Sequence, residues 1–234
     1  MSPRRSDPPI SLPDAQRRVR RSRLLFVAPL VLLGVLVLIL LWEVVRSNMT
    51  AGSRAEWPWR LRILEPDPLG SLLAVAAGAV FARAQYARTV RPYLGWRASW
   101  EKGVLRPDAT QWRVGILNGS QHTAVIESYD FRVIPTGSTG DGDASWTDAQ
   151  GAGAVLTAAG LTEREDYLLI NFGPGFPLVG TGNYETVLVG AFSKRVVDQV
   201  DALYVRVRVT DAVGDSHERI VNCLKAARVS PRPL

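Results

Sequence analysis

Between Leu24 and Trp42 the chain runs for 19 residues without a charged side chain. As a helix, at about 1.5 Å per residue, this stretch reaches about 28 Å, close to the ~30 Å hydrocarbon core of a bilayer. A soluble domain of ordinary size has no use for a helix that is apolar on every face, so the segment reads as a membrane span. A basic flank precedes it, as in a signal peptide. The apolar run is longer than a usual signal core, however, and Trp42, Glu43, Val44, Val45 and Arg46 follow where a small-residue cleavage site would be needed. A retained transmembrane helix over 24–45 is the expectation.

A second apolar stretch, Pro68 to Ala82, has only 15 residues, about 22 Å as a helix. Arg83 and Gln85 lengthen it by snorkelling, and Pro66 and Pro68 suit a helix start. Gly70, Ala74, Gly78 and Ala82 recur every fourth residue, a small-residue stripe that lets helix backbones approach closely in lipid. The reading is a second span over 68–87, with a re-entrant or surface-lying helix as the alternative.

Charge places the ends. Of the net +6, residues 1–23 carry seven Arg and two Asp, the 43–67 region is neutral, residues 83–102 carry five basic residues and one Glu, and residues 103–234 sum to −3. The excess positive charge therefore flanks the spans, which argues for a topology role and against nucleic-acid binding. Arg17, Arg18, Arg20, Arg21 and Arg23 before the first span, with Arg83, Arg88 and Arg91 after the second, place both ends in the cytoplasm and the 46–67 loop outside. If only the first segment spans, the soluble domain lies outside. Arg outnumbers Lys 25 to 3, a coding bias of GC-rich genomes, read here as bacterial, so the expected location is a bacterial plasma membrane. Residues 1–23 read as a disordered basic tail, 88–104 as a juxtamembrane linker, 105–228 as the soluble domain and 229–234 as a short tail.

That domain reads as all-β. Gln111–Leu117 and Thr123–Ile134 alternate apolar and polar around Asn118-Gly119, favoured chemistry for a hairpin turn, with Glu127 as a mismatch. Gly137–Ala144 is a Gly/Asp/Ser loop. Asp148–Ala159 is a short helix closed by Gly160, and Lys194–Val200 supplies one or two helical turns. Tyr167–Asn171 and Glu185–Phe192 are strands. Leu203, Val205, Val207 and Val209 alternate with Tyr204, Arg206, Arg208 and Thr210, and His217–Leu224 returns as a hairpin partner. Six or seven short strands favour an antiparallel sandwich, with a small β-barrel as the alternative.

The runs Trp112-Arg-Val-Gly-Ile-Leu-Asn-Gly and Leu203-Tyr-Val-Arg-Val-Arg-Val-Thr-Asp-Ala-Val-Gly resemble the immunoglobulin-like domains of uncharacterised small bacterial membrane proteins. The likeness covers about residues 105–225 and implies a fold, not an activity. At the level of architecture the chain also resembles the two-helix-anchored β-barrel effectors that respond to cyclic nucleotides in bacterial antiphage defence.

Catalytic and metal chemistry find little footing. His122 and His217 are the two histidines; Asp211, Asp215 and Ser216 lie near His217 in sequence, but proximity along a turn does not make a triad, and a surface turn or strand-edge histidine is expected. Two His and the single Cys223, which also precludes an intramolecular disulfide, fall short of a zinc site. Asp141-Gly-Asp143 lacks a calcium-loop register, and Gly173-Pro-Gly175 and Gly180-Thr-Gly182 read as turns rather than phosphate loops. Asn48-Met-Thr and Asn118-Gly-Ser match glycosylation acceptors but sit beside the membrane and in a turn. Arg206 and Arg208 share one strand face, read as solubilising edge charges rather than a ligand patch. The expectation is a non-enzyme without catalytic, cofactor or metal residues. Its partners are the lipid bilayer, proteins, or further copies joined through the helices, with no nucleic acid.

Overall fold

The computed structural model describes residues 14–64, 66–137, 145–180 and 186–230. Two compact units are present: Arg21–Val90, and the chain on either side of it.

The first unit is helical. Helix α1 spans Arg23–Ser47 and helix α3 spans Pro66–Thr89, about 37 and 36 Å long. Both contain stretches long and apolar enough to cross a membrane, Val27–Ser47 and Pro68–Thr89. The second runs past Ala82 because Arg83, Gln85 and Arg88 are good helix formers, and it stops just before Arg91-Pro92, where proline disfavours helix in the residue before it. The helices meet along Leu33, Leu36 and Leu40 of α1 and Leu69, Leu73 and Ala76 of α3. Much of the remaining apolar surface stays uncovered, with Leu38 67% and Phe81 71% exposed. A short helix, α2 (Ala51–Ala55), is capped by Thr50, whose side chain accepts from the Ser53 N–H. The segment after it returns to α1: Trp42 stacks on Trp59 at 4.7 Å, and Arg46 Nε donates to the Trp59 carbonyl at 2.8 Å.

The second unit is two antiparallel sheets around one core. The strands are β1 (Arg17–Arg20), β2 (Leu94–Lys102), β3 (Thr110–Asn118), β4 (Ala124–Pro135), β5 (Tyr167–Leu169), β6 (Pro177–Leu178), β7 (Val187–Phe192), β8 (Val200–Thr210) and β9 (Ser216–Asn222). One sheet has the order β1-β9-β8-β4-β6 and the other β2-β3-β7-β5. Strict alternation on β8 sends Val205, Val207 and Val209 into the core, and on β3 it sends Trp112, Val114 and Ile116 there. Each large apolar side chain so buried contributes about 1.5–3 kcal/mol. Trp112 Nε1 donates to the Cys223 carbonyl at 2.8 Å, which ties β3 to the chain just after β9. Helix α4 (Ala149–Ala158), capped by Asp148 and closed by Gly160 at φ +81°, adds Ala152 and Leu156 to the core. Helix α5 (Lys194–Gln199) adds Val196 and Val197.

Three expectations need correction. Asn118-Gly119 does not turn a hairpin: β3 and β4 lie in different sheets, and neither residue has a positive φ. Asn118 is buried, its amide donating to the carbonyls of His122 and Leu178 while its oxygen accepts from the Ser120 N–H, so it anchors a crossover. Residues 88–104 are more than a linker, because β2 occupies 94–102 and pairs with β3 along its whole length. Within the basic tail, β1 pairs with β9. The charge of β1 hides its role: on an edge strand, four exposed side chains need no apolar face. The mismatch at Glu127 also resolves. A bulge between Ile126 and Ser128 shifts the alternation, so Ile126 and then Tyr129, Phe131 and Val133 all point inward. Val125, which unbroken alternation with Tyr129, Phe131 and Val133 would put on the apolar face, is exposed in consequence.

Candidate functional site

The outer face of the second sheet carries a polar groove. Alternation that buries Leu94 and Trp100 on β2, and Trp112 and Val114 on β3, turns Arg97, Ser99 and Glu101 and then Arg113 and Gly115 outward. The register sets Arg97 opposite Gly115 and Ser99 opposite Arg113. Gly115 is required: a Cβ built there would lie 2.6 Å from the Thr186 Cβ. Thr186 therefore lies over the strand, and a depression of about 170 Å³ opens between it, the two arginines, Ser99 and Glu101.

Glu101 organises this groove. It accepts from Ser99 Oγ at 2.5 Å and from Arg113 Nη1 at 2.9 Å. The Ser99 hydrogen bond, then that of Arg113, hold its carboxyl below the ordinary range. A carboxylate so stabilised is a weak base and does not activate Ser99 as a nucleophile. Arg97 is exposed on the same face. With both Glu101 oxygens and the Ser99 hydrogen already engaged, the outward-facing donors of the groove are the remaining guanidinium N–H groups and the Thr186 hydroxyl.

A second cluster lies where β8 turns into β9. Asp211 Oδ1 accepts from the backbone N–H of Val213 and of Asp215, and Oδ2 lies 2.9 Å from His217 Nε2. His217 is 3% exposed, not a surface histidine. The reason is β1, which pairs Arg18 with His217 and covers a strand that would otherwise be an edge. Ser216 and His217 are consecutive on β9 and point to opposite faces, so no triad forms. Glu218, 1% exposed, receives Arg17 on Oε1 at 2.9 and 2.6 Å and Arg208 on Oε2 at 2.8 Å. Arg206 donates twice to Asp130 Oδ2 and sits 4.5 Å from the centre of the Trp146 ring. Arg206 and Arg208 are thus engaged inside the sheet rather than standing as plain edge charges.

Other residues singled out from the sequence separate in space. Gly70, Ala74, Gly78 and Ala82 are all exposed on α3, off the face that meets α1. Arg17 pairs with Glu218 and Arg18 with Asp215, so both serve the sheet; Arg20 ends β1, and Arg21 follows it. Arg23 opens α1, Arg83 and Arg88 lie on α3, and Arg91 follows it. Cys223 is buried, and burial pushes its thiol far up. Gly175, at φ +95°, makes the turn before β6. Asp141, Asp143 and Gly182 lie outside the described residues. Among the described residues no group of three or more His, Cys, Asp or Glu is placed to hold a metal ion. Sequence reasoning missed the β2 half of the groove, although Leu94, Trp96, Ala98 and Trp100 alternate with Gly95, Arg97, Ser99 and Glu101 as a strand should.

No family model, curated protein or solved structure matches the chain. The structure itself has two apolar helices and a domain of antiparallel sheets.

The Glu218 network predicts a pH dependence. Burial raises the Glu218 pKa, but hydrogen bonds from Arg208 and Arg17 outweigh it and hold the group below its ordinary 4.5. Its stabilisation is therefore complete above that value and is lost as pH falls through the depressed folded value. Thermal melts of the detergent-solubilised chain should show Tm falling on acidification below 4.5. In Glu218→Gln that fall is shallower, and at neutral pH the variant is less stable by about 1–2 kcal/mol, a modest cost because Arg17 stays solvated.

Proposed function

We propose that the chain is a membrane-anchored interaction module, with α1 and α3 crossing a bacterial plasma membrane as a hairpin and the β domain working at its cytoplasmic face. The groove formed by Arg97, Ser99, Arg113 and Thr186 is the observation that carries this reading. It presents donors to an acidic side chain of a partner protein, while apolar side chains fill the space between the sheets. The immunoglobulin-like kinship belongs to the same proposal and is supported by the two facing sheets. Tethering the groove to a surface raises its effective concentration for partners there.

The pairing of β1 with β9 supports the hairpin. Strand β1 ends at Arg20, α1 begins at Arg23, and β9 follows both helices. Chain ends joined in one sheet lie on one side of a bilayer, so the helices between them cross it an even number of times. Arginines at both cytoplasmic helix ends supply the orientation.

A second reading is a ligand-sensing effector whose helices oligomerise. The exposed stripe favours it: among the described residues nothing lies within 4 Å of a Cβ added at Gly70 or Gly78, so no contact described there calls for a small residue. The apolar filling between the sheets favours the interaction module instead.

Three experiments test these readings. Cys223 is buried, so topology needs introduced thiols: Val229→Cys, at a position 83% exposed, should label only after lysis, and Ala55→Cys in intact cells. Labelling of both positions from outside would remove the hairpin. A photocrosslinker at Ser99 should give a discrete protein adduct that disappears in Arg97→Glu/Arg113→Glu; an adduct that survives the charge reversal refutes the groove. Gly78→Ile should leave the fold intact and abolish crosslinked oligomers, and unchanged crosslinking would end the effector reading.

A further inference from the structure

The loop end of the helical unit holds a cavity of about 390 Å³, built by α1, α2, α3 and the segments between them. Its floor is apolar, from Leu40 and Val44 of α1 and Leu69 of α3. Its rim is basic, from Arg46 near the end of α1, Arg54 in α2 and Arg62 ahead of α3. Glu43 is the carboxylate among the described lining residues, and its charge is already answered. It accepts from Arg46 Nη1 at 3.1 Å and from the Ile63 N–H at 2.9 Å, and it is buried. Among the described lining residues three guanidinium groups stand against that one carboxylate. Arg54 is exposed and makes no side-chain hydrogen bond or ion pair among the described residues.

The position of the cavity along the helices identifies the chemistry that fits it. Trp42, stacked on Trp59, donates its indole N–H to the Leu61 carbonyl at 3.2 Å. Tryptophans with an apolar body and a satisfied polar edge mark the level where hydrocarbon meets headgroups. Leu38 and Leu41, on the same helix, are 67% and 54% exposed and belong to the apolar band beside it. An apolar floor under a cationic rim at that level has the polarity profile of one anionic phospholipid. We infer that this cavity binds an anionic phospholipid, its phosphodiester held by Arg46, Arg54 and Arg62 and its first methylenes resting on Leu40, Val44 and Leu69. A free phosphate would meet the same arginines but leave the apolar floor uncovered.

This inference rests on the membrane-anchor reading, so one preparation tests both. The full-length protein is reconstituted into nanodiscs of mixed phosphatidylglycerol and phosphatidylcholine, and retained lipid is weighed by native mass spectrometry. Phosphatidylglycerol should be retained in preference to phosphatidylcholine and should resist excess inorganic phosphate. Arg54→Gln, a change on an exposed helix that circular dichroism will show folded, should lower that retention about fivefold. Equal retention of the two lipids, or unchanged retention in Arg54→Gln, overturns the inference. Displacement by inorganic phosphate overturns it as well and assigns the rim to soluble phosphates. Carbonate extraction separates the two readings. Release of the protein from membranes removes the anchor reading, whereas a protein that stays in the bilayer without lipid preference overturns the lipid site alone.

Discussion

The buried charges of β9 and of the turn before it depend on a strand of four residues, three of them arginine. Strand β1 closes the side of β9, and with it come Arg17 onto Glu218 and Arg18 onto Asp215. Without that strand Glu218 and His217 would sit on an open sheet edge, solvated and unremarked. Gln16, just before β1, extends the effect to the other sheet: its amide donates to the Pro92 carbonyl at 2.7 Å and its oxygen accepts from the Leu94 N–H at 3.0 Å. One short segment therefore fastens the first strand of each sheet and shields the turn where β8 meets β9.

The arginines of that segment bear on two physical problems at once. Where an apolar helix enters a bilayer, a basic flank beside it orients insertion, because positive charge resists translocation. The same residues neutralise Glu218 and Asp215, acids that burial would otherwise penalise. The net charge of the chain thus has a structural origin at its flanks. The groove on the opposite sheet differs in kind: its arginines lie beside a pre-satisfied glutamate and face outward instead of answering a buried acid.

The sequence made some of this legible and concealed the rest for identifiable reasons. The apolar stretch of α1 announced itself by length, and β8 by its uninterrupted alternation of valines with polar residues. The Asp148 cap and Gly160 bracketed α4 closely. The Asn-Gly pair misled because turn propensity is local, whereas the buried hydrogen bonds of the Asn118 side chain are set by the tertiary fold. Strand β1 was invisible because an exposed edge strand needs no apolar face. Strand β2 alternates as well, but it follows Arg91-Pro92 so closely behind the second apolar stretch that it reads as linker, and half of the groove lies on it. The cavity at the hairpin's loop end depends on a segment folding back through the Trp42–Trp59 stack, a contact that no periodicity encodes.

The pairing of β1 with β9 also sets the order in which this protein can be made. Arg17 and Glu218 are 201 residues apart along the chain. At ribosomal speeds of about 5–20 residues per second, β1 waits on the order of 10–40 s between its own synthesis and that of its partner. Both apolar helices emerge in that interval, while β1 is still an unpaired basic segment. Closure of the sheet therefore waits on both helices, and the strand that will complete the domain is, until then, simply a charged flank ahead of the first of them.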